Sequence, residues 1–457
     1  MIGGLQKTSL YLLAGAAALG VLVSGAPAVQ AQGLTEAQYQ RLKAELKQEL
    51  KEENGSDLKV KWKGAPKFSS TDGKFTFKVR GRIMVDYEAI NQDRSITGDP
   101  DISGWEARRA RLGVEGTLYY DWKYKFEVDF AGSNDAEVKD AYFSYAGFGW
   151  NNLEFLFGQF KVANSLEGMT SSRFITFMER AAFIEAFEAE PRALGVGVHA
   201  GGDHWSFQSS LNGANIEDQG SFTNDPLLFG VRGTVAPVNT DTSVVHLGAS
   251  YRHRDSGTSD ETGAADLYRY RAHGADLHLA DRFIATPHFG ENDDYFGLEG
   301  AVVLGRFSLQ GEYAQLKSDL PTTIASASPE YNGWYLSGSV FLTDDMRNYD
   351  ADSGEFKRVK VRNPVWGGSG GWGAWQLAGR YDVIDLGDAV TQINNAPAKN
   401  AVDCEVCGDQ ETWLIGLNWY LTDHVAMKLN VTQSEISGGA NSGATINGFG
   451  LRGQVDW

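Results

Sequence analysis

The chain of 457 residues is expected to be all-β, a 16-stranded antiparallel transmembrane β-barrel with a short N-terminal helical, coiled-coil-like segment. Three observations predict it. From Lys74 onward, apolar and polar residues alternate with period two, which sends successive side chains to opposite faces of a strand. Links between the alternating segments are very short at Tyr120-Asp121 and long and polar from Asp255 to Asp266, the short-turn, long-loop design of membrane barrels. Aromatic residues recur near segment ends, as Tyr87, Trp122, Phe130, Trp375 and Trp419 do, where interfacial girdles form.

Composition agrees. There are 54 glycines, 24 Phe, 18 Tyr and 12 Trp beside only 11 prolines, a mix suited to strands and tight turns. The formal net charge of −18 disfavours nucleic-acid binding, which needs concentrated basic surface. Acidic loops in solvent lie beyond a Debye length from a barrel interior, so the sign of the total does not decide the sign of a pore.

Residues 1–31 read as a signal peptide. Lys7 supplies the positive region, Leu10 to Val23 the apolar stretch and Val29-Gln30-Ala31 the small-residue cleavage site. Residues 32–55 carry the next helix signal: Thr35 and Gln38 form a capping-box pattern, and Tyr39, Leu42, Leu46 and Leu50 make one apolar stripe. Such a stripe suits packing on its own domain or self-association as a coiled coil; nothing nearby reads as a soluble core, which favours the second and implies a homo-oligomer. Residues 56–73 are expected as a linker and 74–457 as the barrel.

The first barrel segment alternates most cleanly. Phe75, Phe77, Val79, Gly81, Ile83, Val85 and Tyr87 share one face; Lys74, Thr76, Lys78, Arg80, Arg82, Met84 and Asp86 share the other. The first face suits lipid. The second is strongly basic, which a dry core would not tolerate without many partners. Ala110, Leu112, Val114 and Leu118 oppose Arg109, Arg111, Glu115 and Thr117, and Trp122, Tyr124, Phe126 and Val128 oppose Lys123, Lys125, Glu127 and Asp129. Similar segments continue to Phe449–Trp457, an alternating last strand that ends on an aromatic residue. Sixteen strands from Gly73 onward leave roughly 24 residues each, enough for a span of about 10 plus a turn and a loop. A barrel of that size leaves an aqueous lumen.

Several stretches resemble the phosphate- and polyphosphate-selective porin family: Arg108-Arg109-Ala110-Arg111-Leu112-Gly113, Asp140-Ala141-Tyr142-Phe143, Gly158-Gln159-Phe160-Lys161 and, most specifically, Thr170-Ser171-Ser172 through Met178-Glu179-Arg180. Pro191-Arg192-Ala193-Leu194-Gly195 and Phe341-Leu342-Thr343 followed by Arg347 extend the likeness over nearly all of the chain after Gly73. The resemblance implies an outer-membrane homotrimer in outer-membrane lipid, each barrel narrowed by an infolded loop, here about 162–191, and lined by arginines that draw small inorganic anions inward. Residues matching the constriction are Ser171, Ser172 and Arg180, with Asp140 as the family's acid nearby. The strand residues are Lys78, Arg80, Arg82, Arg109, Arg111, Lys125 and Arg380. Arg173 and Arg192 are weaker candidates, since each could lie at the loop base. Phosphate-selective members place a lysine shortly before the Ser-Ser pair, where this chain has Gly168-Met169-Thr170, so the expectation is small anions, with phosphate or polyphosphate among them.

The physical basis of anion conduction stands beside the resemblance. Rings of Arg or Lys in a narrow passage lower the energy of an entering anion, and several weak sites in series let it leave. The bland reading is that each arginine pairs with Glu115, Glu127, Asp129, Asp140 or Asp382 and stiffens the wall. A general diffusion channel and a structural or adhesive envelope barrel are the alternatives. No enzyme, cofactor or metal site is expected: the eight histidines show no ligand spacing and form no H-E-x-x-H motif, and Gly367–Gly371 lacks the Lys and Ser/Thr of a phosphate-binding loop. Cys404 and Cys407 lie in a loop-like stretch and are expected to be a loop-tip disulfide or a spectator pair.

Overall fold

The computed structural model describes residues 58–457 apart from 133–135, 189–190, 219–221, 260–264, 322–327, 369 and 389–406, with a few residues between 37 and 48. The leader expected at 1–31 and most of the helix expected at 32–55 lie outside the described residues. The segment expected as a linker departs from expectation, because Leu58–Lys63 and Ala65–Ser70 are strands that pair with each other. Ala65–Ser70 then turns through Thr71-Asp72-Gly73 and pairs Lys67, Phe68 and Ser69 with Lys78, Phe77 and Thr76. Gly73 takes φ 76, and the Asp72 carboxylate accepts from the Lys74 N–H at 3.0 Å and the Ser70 hydroxyl at 2.6 Å, which makes the tight turn.

Sixteen strands then close a barrel. They are β1 (Thr76–Asn91), β2 (Ile102–Leu118), β3 (Trp122–Asp129), β4 (Glu137–Tyr145), β5 (Glu154–Lys161), β6 (Arg192–Gly202), β7 (Trp205–Asn212) and β8 (Leu227–Asn239), followed by β9 (Ser243–Asp255), β10 (Asn292–Leu304), β11 (Phe307–Asp319), β12 (Glu330–Phe341), β13 (Ala374–Asp385), β14 (Asp409–Thr422), β15 (Val425–Ser437) and β16 (Thr445–Asp456). Each pairs with the next, and β16 returns antiparallel to β1 through Asn447–Asn91 to Asp456–Arg82, so no edge is left. The faces follow the alternation. Phe77, Ile83, Leu112, Phe126, Leu298, Leu309 and Ile415 are exposed outside, while Arg82, Asp86, Glu127, Arg232 and Arg452 are buried inside. No helix among the described residues is long and apolar enough to cross a membrane; this chain crosses with strands.

One irregularity governs the interior. The β1–β2 register pairs Met84 with Arg109 and Val85 with Ala107, so Arg108 is the extra residue of a β-bulge. Strict alternation would have put Arg108 on the lipid face with Ala110 and Leu112. The bulge turns it inward beside Arg109, where it reaches Glu179.

The lumen is filled from both ends, more than the single infolded loop expected. Segment 162–191 between β5 and β6 enters from the long-loop end, and 256–291 between β9 and β10 enters beside it, with Leu277, Phe283, Ile284 and Phe289 packed in one apolar cluster with Phe183 and Phe187. The third segment, 342–373, joins β12 to β13 at the end where other turns span only a few residues, such as 305–306. Its hairpin, Asn348–Asp350 with Glu355–Lys357, rises into the barrel and sets Phe356 against Leu166. Wall residues hold it there: Arg232 donates to the Gly354 carbonyl at 2.7 Å, Arg347 to Gln310 at 2.8 Å, and His246 bonds Tyr349 at 2.6 Å. Cys407, at the start of the approach to β14, is buried and disulfide-bonded; Cys404 lies outside the described residues.

Candidate functional site

The loop 162–191 is built as a strap with two short helices, α1 (Leu166–Met169) and α2 (Ala182–Ala186). Ser165 caps α1 by accepting from the Gly168 N–H at 3.0 Å. Glu312 on β11 accepts from the Leu166 and Glu167 N–H groups at 2.8 and 2.7 Å, so the wall satisfies the helix end that the loop leaves open. Between the helices the backbone is irregular, and its carbonyls need donors. The wall provides them: Gln454 donates to the Arg173 carbonyl at 3.0 Å, Lys428 to Ile175, Asn418 to Thr176 at 2.9 Å, Arg452 to Met178 and Arg380 to Glu179 at 3.3 Å. Glycines on the inner face make the hollows for its side chains. A Cβ at Gly333 would come within 2.3 Å of Phe183, and one at Gly450 within 2.8 Å of the Met178 sulfur.

Held this way, the strap faces β1–β5 across a cavity of about 360 Å³. Ten basic and four acidic side chains line it. The wall contributes Arg80, Arg82, Arg109, Arg111 and Lys125; the strap contributes Ser171, Ser172, Arg173 and Arg180; the turn-side hairpin contributes Glu355 and Lys357. Arg82 donates to the Ser172 hydroxyl at 2.7 Å and pairs with Glu127 at 3.0 Å, joining wall to strap. Arg80 pairs with Glu127 at 3.2 Å and also with Glu115; Arg111 pairs with Asp129 at 2.7 Å and Glu127 at 3.4 Å. Asp140 lies between Lys125 at 2.7 Å and Arg192 at 3.3 Å. Ser171 accepts from Arg173 at 3.3 Å, and Arg180 donates to the Glu167 and Thr170 carbonyls, both at 2.9 Å.

A second cavity of about 230 Å³ lies toward the long-loop end, between the strap, β2 and segment 256–291. Arg109 and Arg180 line both chambers. Glu179 borders the second, where its two oxygens each lie 2.9 Å from the Arg108 guanidinium and Arg452 approaches to 2.7 Å. Burial alone would raise this carboxyl, but Arg108, Arg109 and Arg452 together hold it well below the usual carboxylate range.

Two residues singled out from the sequence lie off the main cavity. Lys78 lies nearer the short-turn end and pairs with Glu115 at 3.3 Å. Arg380 is enclosed by Asp276, by Asp382 at 3.0 Å and by Glu167 at 3.5 Å, so it fastens two infolded segments to β13. Conversely, Arg173 and Arg192, the weaker candidates from the sequence, line the cavity, and Lys161 and Lys357 join them. Lys357 could have been suspected from the 32-residue gap between Phe341 and Ala374, far longer than a turn.

Comparison with known proteins agrees with this architecture. Residues 77–457 match the family described as phosphate-selective porin O and P. Porin O of Pseudomonas aeruginosa is 29% identical over 432 residues, covering 87% of this chain and 92% of that protein. Among solved structures, OprB of Pseudomonas putida superposes with a TM-score of 0.52 at 10% identity, covering 83% of this chain and 94% of that one. A loop-deletion form of OmpT from Vibrio cholerae superposes with a TM-score of 0.50 at 12% identity, covering 84% and 100%. The chain belongs to the phosphate-selective porin O and P family, anion-selective channels of the bacterial outer membrane.

Proposed function

We propose that small oxyanions, phosphate among them, cross this barrel by stepping from the outer chamber into the basic chamber between the strap and β1–β5. The observation that carries the reading is the lining itself, ten basic against four acidic side chains around about 360 Å³. Even with each carboxylate counted against one cation, an excess of positive charge faces a narrow aqueous passage. Arg forks and the Ser171 and Ser172 hydroxyls suit the oxygens of a tetrahedral anion. The strap has no lysine shortly before Ser171, yet Lys161 on β5 carries its ammonium to the Gly168 carbonyl and lines the same chamber. A cation therefore occupies that stretch by another route. Planar-bilayer recording tests the proposal: a salt gradient should give a reversal potential favouring anions, and millimolar phosphate should reduce chloride current. Cation preference, or no effect of phosphate, refutes it.

The barrel wall supports a homotrimer as the working unit. β3 and β5 have 8 residues and β4 has 9, whereas β8 to β16 have 12 to 14. A tilted strand of 8 residues rises only about 19 Å, short of the roughly 25 Å apolar band of a barrel. This low wall exposes Phe126, Phe143, Phe155 and Phe157, a surface suited to another subunit. Phe143→Glu combined with Phe157→Glu should release monomers on semi-native electrophoresis; unaltered trimers would refute contact there.

A further inference from the structure

Arg109 and Arg180 line both chambers, Glu179 borders the second beside them, and the partners of Arg109 and Glu179 differ. Glu179 is well supplied: Arg108 grips both of its oxygens at 2.9 Å and Arg452 adds a contact at 2.7 Å. Arg109 is 4% exposed and lines both chambers, but it is 3.5 Å from the Glu179 carboxylate and donates to the Met84 sulfur at 3.8 Å. A thioether is a weak acceptor for a guanidinium. A buried guanidinium so supplied offers its donors to any oxyanion passing between the chambers.

We infer that Glu179 is a tethered competitor for the permeating anion, a fixed carboxylate that shares the Arg108–Arg109 site and shortens the stay of each oxyanion there. The fork geometry at Arg108 is the one that two oxygens of a phosphate would use. Conduction through a charged constriction requires a site attractive enough to fill and weak enough to empty. A carboxylate at the junction weakens it by direct repulsion of the incoming anion. Because Glu179 belongs to the strap, and the wall holds the strap's backbone through Gln454, Lys428 and Asn418, the competitor stays at the junction whether or not an anion is present. This inference rests on the anion-channel reading.

The test is single-channel chloride current in planar bilayers with inorganic phosphate added, comparing wild type with Glu179→Gln, Glu179→Asp and Glu312→Gln. Glu179→Gln keeps the shape and an acceptor oxygen but removes the charge. Its phosphate block should tighten about tenfold, the factor for roughly 1.4 kcal/mol of lost repulsion at short range in a partly aqueous site, with individual blocking events lengthened in proportion. Glu179→Asp should return blocking times toward wild type. Glu312→Gln loosens the anchorage of α1 without changing charge at either chamber, so it should leave block duration within about twofold. Wild-type block with unchanged or weaker block in Glu179→Gln overturns the inference and leaves the channel reading intact. Equal lengthening in Glu312→Gln also overturns it, because strap mobility would then be the cause. No phosphate block in wild type overturns both.

Discussion

Arg82→Gln should weaken phosphate binding in the basic chamber by about one order of magnitude while leaving the barrel folded. An oxyanion held in the chamber, about 360 Å³, by direct contact with a lining guanidinium has its charge roughly 4 Å from that cation. At that separation one charge pair is worth about 1 kcal/mol in bulk water and about 4 kcal/mol at an effective dielectric of 20. A hydrated chamber near the aqueous limit gives about 1 to 2 kcal/mol for an anion of charge between one and two, a factor of about 5 to 30 in Kd. Arg82 is suited to the test because it touches the strap through Ser172 at 2.7 Å and the wall through Glu127 at 3.0 Å. Gln at that position can still bond Ser172. The assay is phosphate block of chloride current, with Lys78→Gln as the comparison, since Lys78 lies off the cavity and pairs with Glu115. Block altered by less than twofold in Arg82→Gln, or altered equally in Lys78→Gln, would refute the assignment of the anion to this chamber.

Glu312→Ala leaves the Leu166 and Glu167 N–H groups without the carboxylate that accepts them, and should destabilise the strap by about 2 to 3 kcal/mol. The expected signature is increased open-channel noise and faster hydrogen exchange across Leu166–Met169, and unchanged exchange would count against the anchor. Phe356→Ala removes a buried ring that packs on Leu166 under the Arg347 guanidinium, at a cost of about 3 to 4 kcal/mol to the turn-side hairpin. Single-channel conductance should rise as the hairpin loosens; unaltered conductance would mean that it does not limit the pore. The carboxyl of Glu179 is depressed when folded, so its pairing is fully present above the ordinary carboxylate value of about 4.3 and is lost only as pH falls through the lower folded value. The difference in chloride preference between wild type and Glu179→Gln should therefore persist from pH 8 to pH 5, and a difference that closes near pH 4 to 5 would contradict the depressed value.

The strand faces were legible because a strand's period is short and local. Val79, Ile83 and Val85 against Arg80, Arg82 and Asp86 is a pattern that one stretch carries alone, and the register of β1 with β2 keeps it. Arg108 was not legible. A bulge depends on how two strands align, here through the pairs Met84 with Arg109 and Val85 with Ala107, and nothing local marks Arg108 as the extra residue. Arg380 illustrates the opposite failure. Alternation correctly turned it inward, but whether an inward arginine meets water or carboxylates depends on Asp276 and Glu167, which arrive from other segments.

By itself the sequence determined that this chain alternates into 16 or 17 strand-like segments with a basic inner face on the first of them, and its motifs carried the family and, with it, the count of sixteen. These are properties of periodicity and of residues close together along the chain. Tertiary structure alone decided what occupies the lumen: three segments meeting inside, Glu179 set among Arg108, Arg109 and Arg452, and Lys161 and Lys357 brought to the same chamber as Arg82. The physical reason is that an infolded segment is held by donors and hollows spread around the barrel, such as Lys428, Asn418, Gly333 and Gly450. Those positions come together only when the barrel closes.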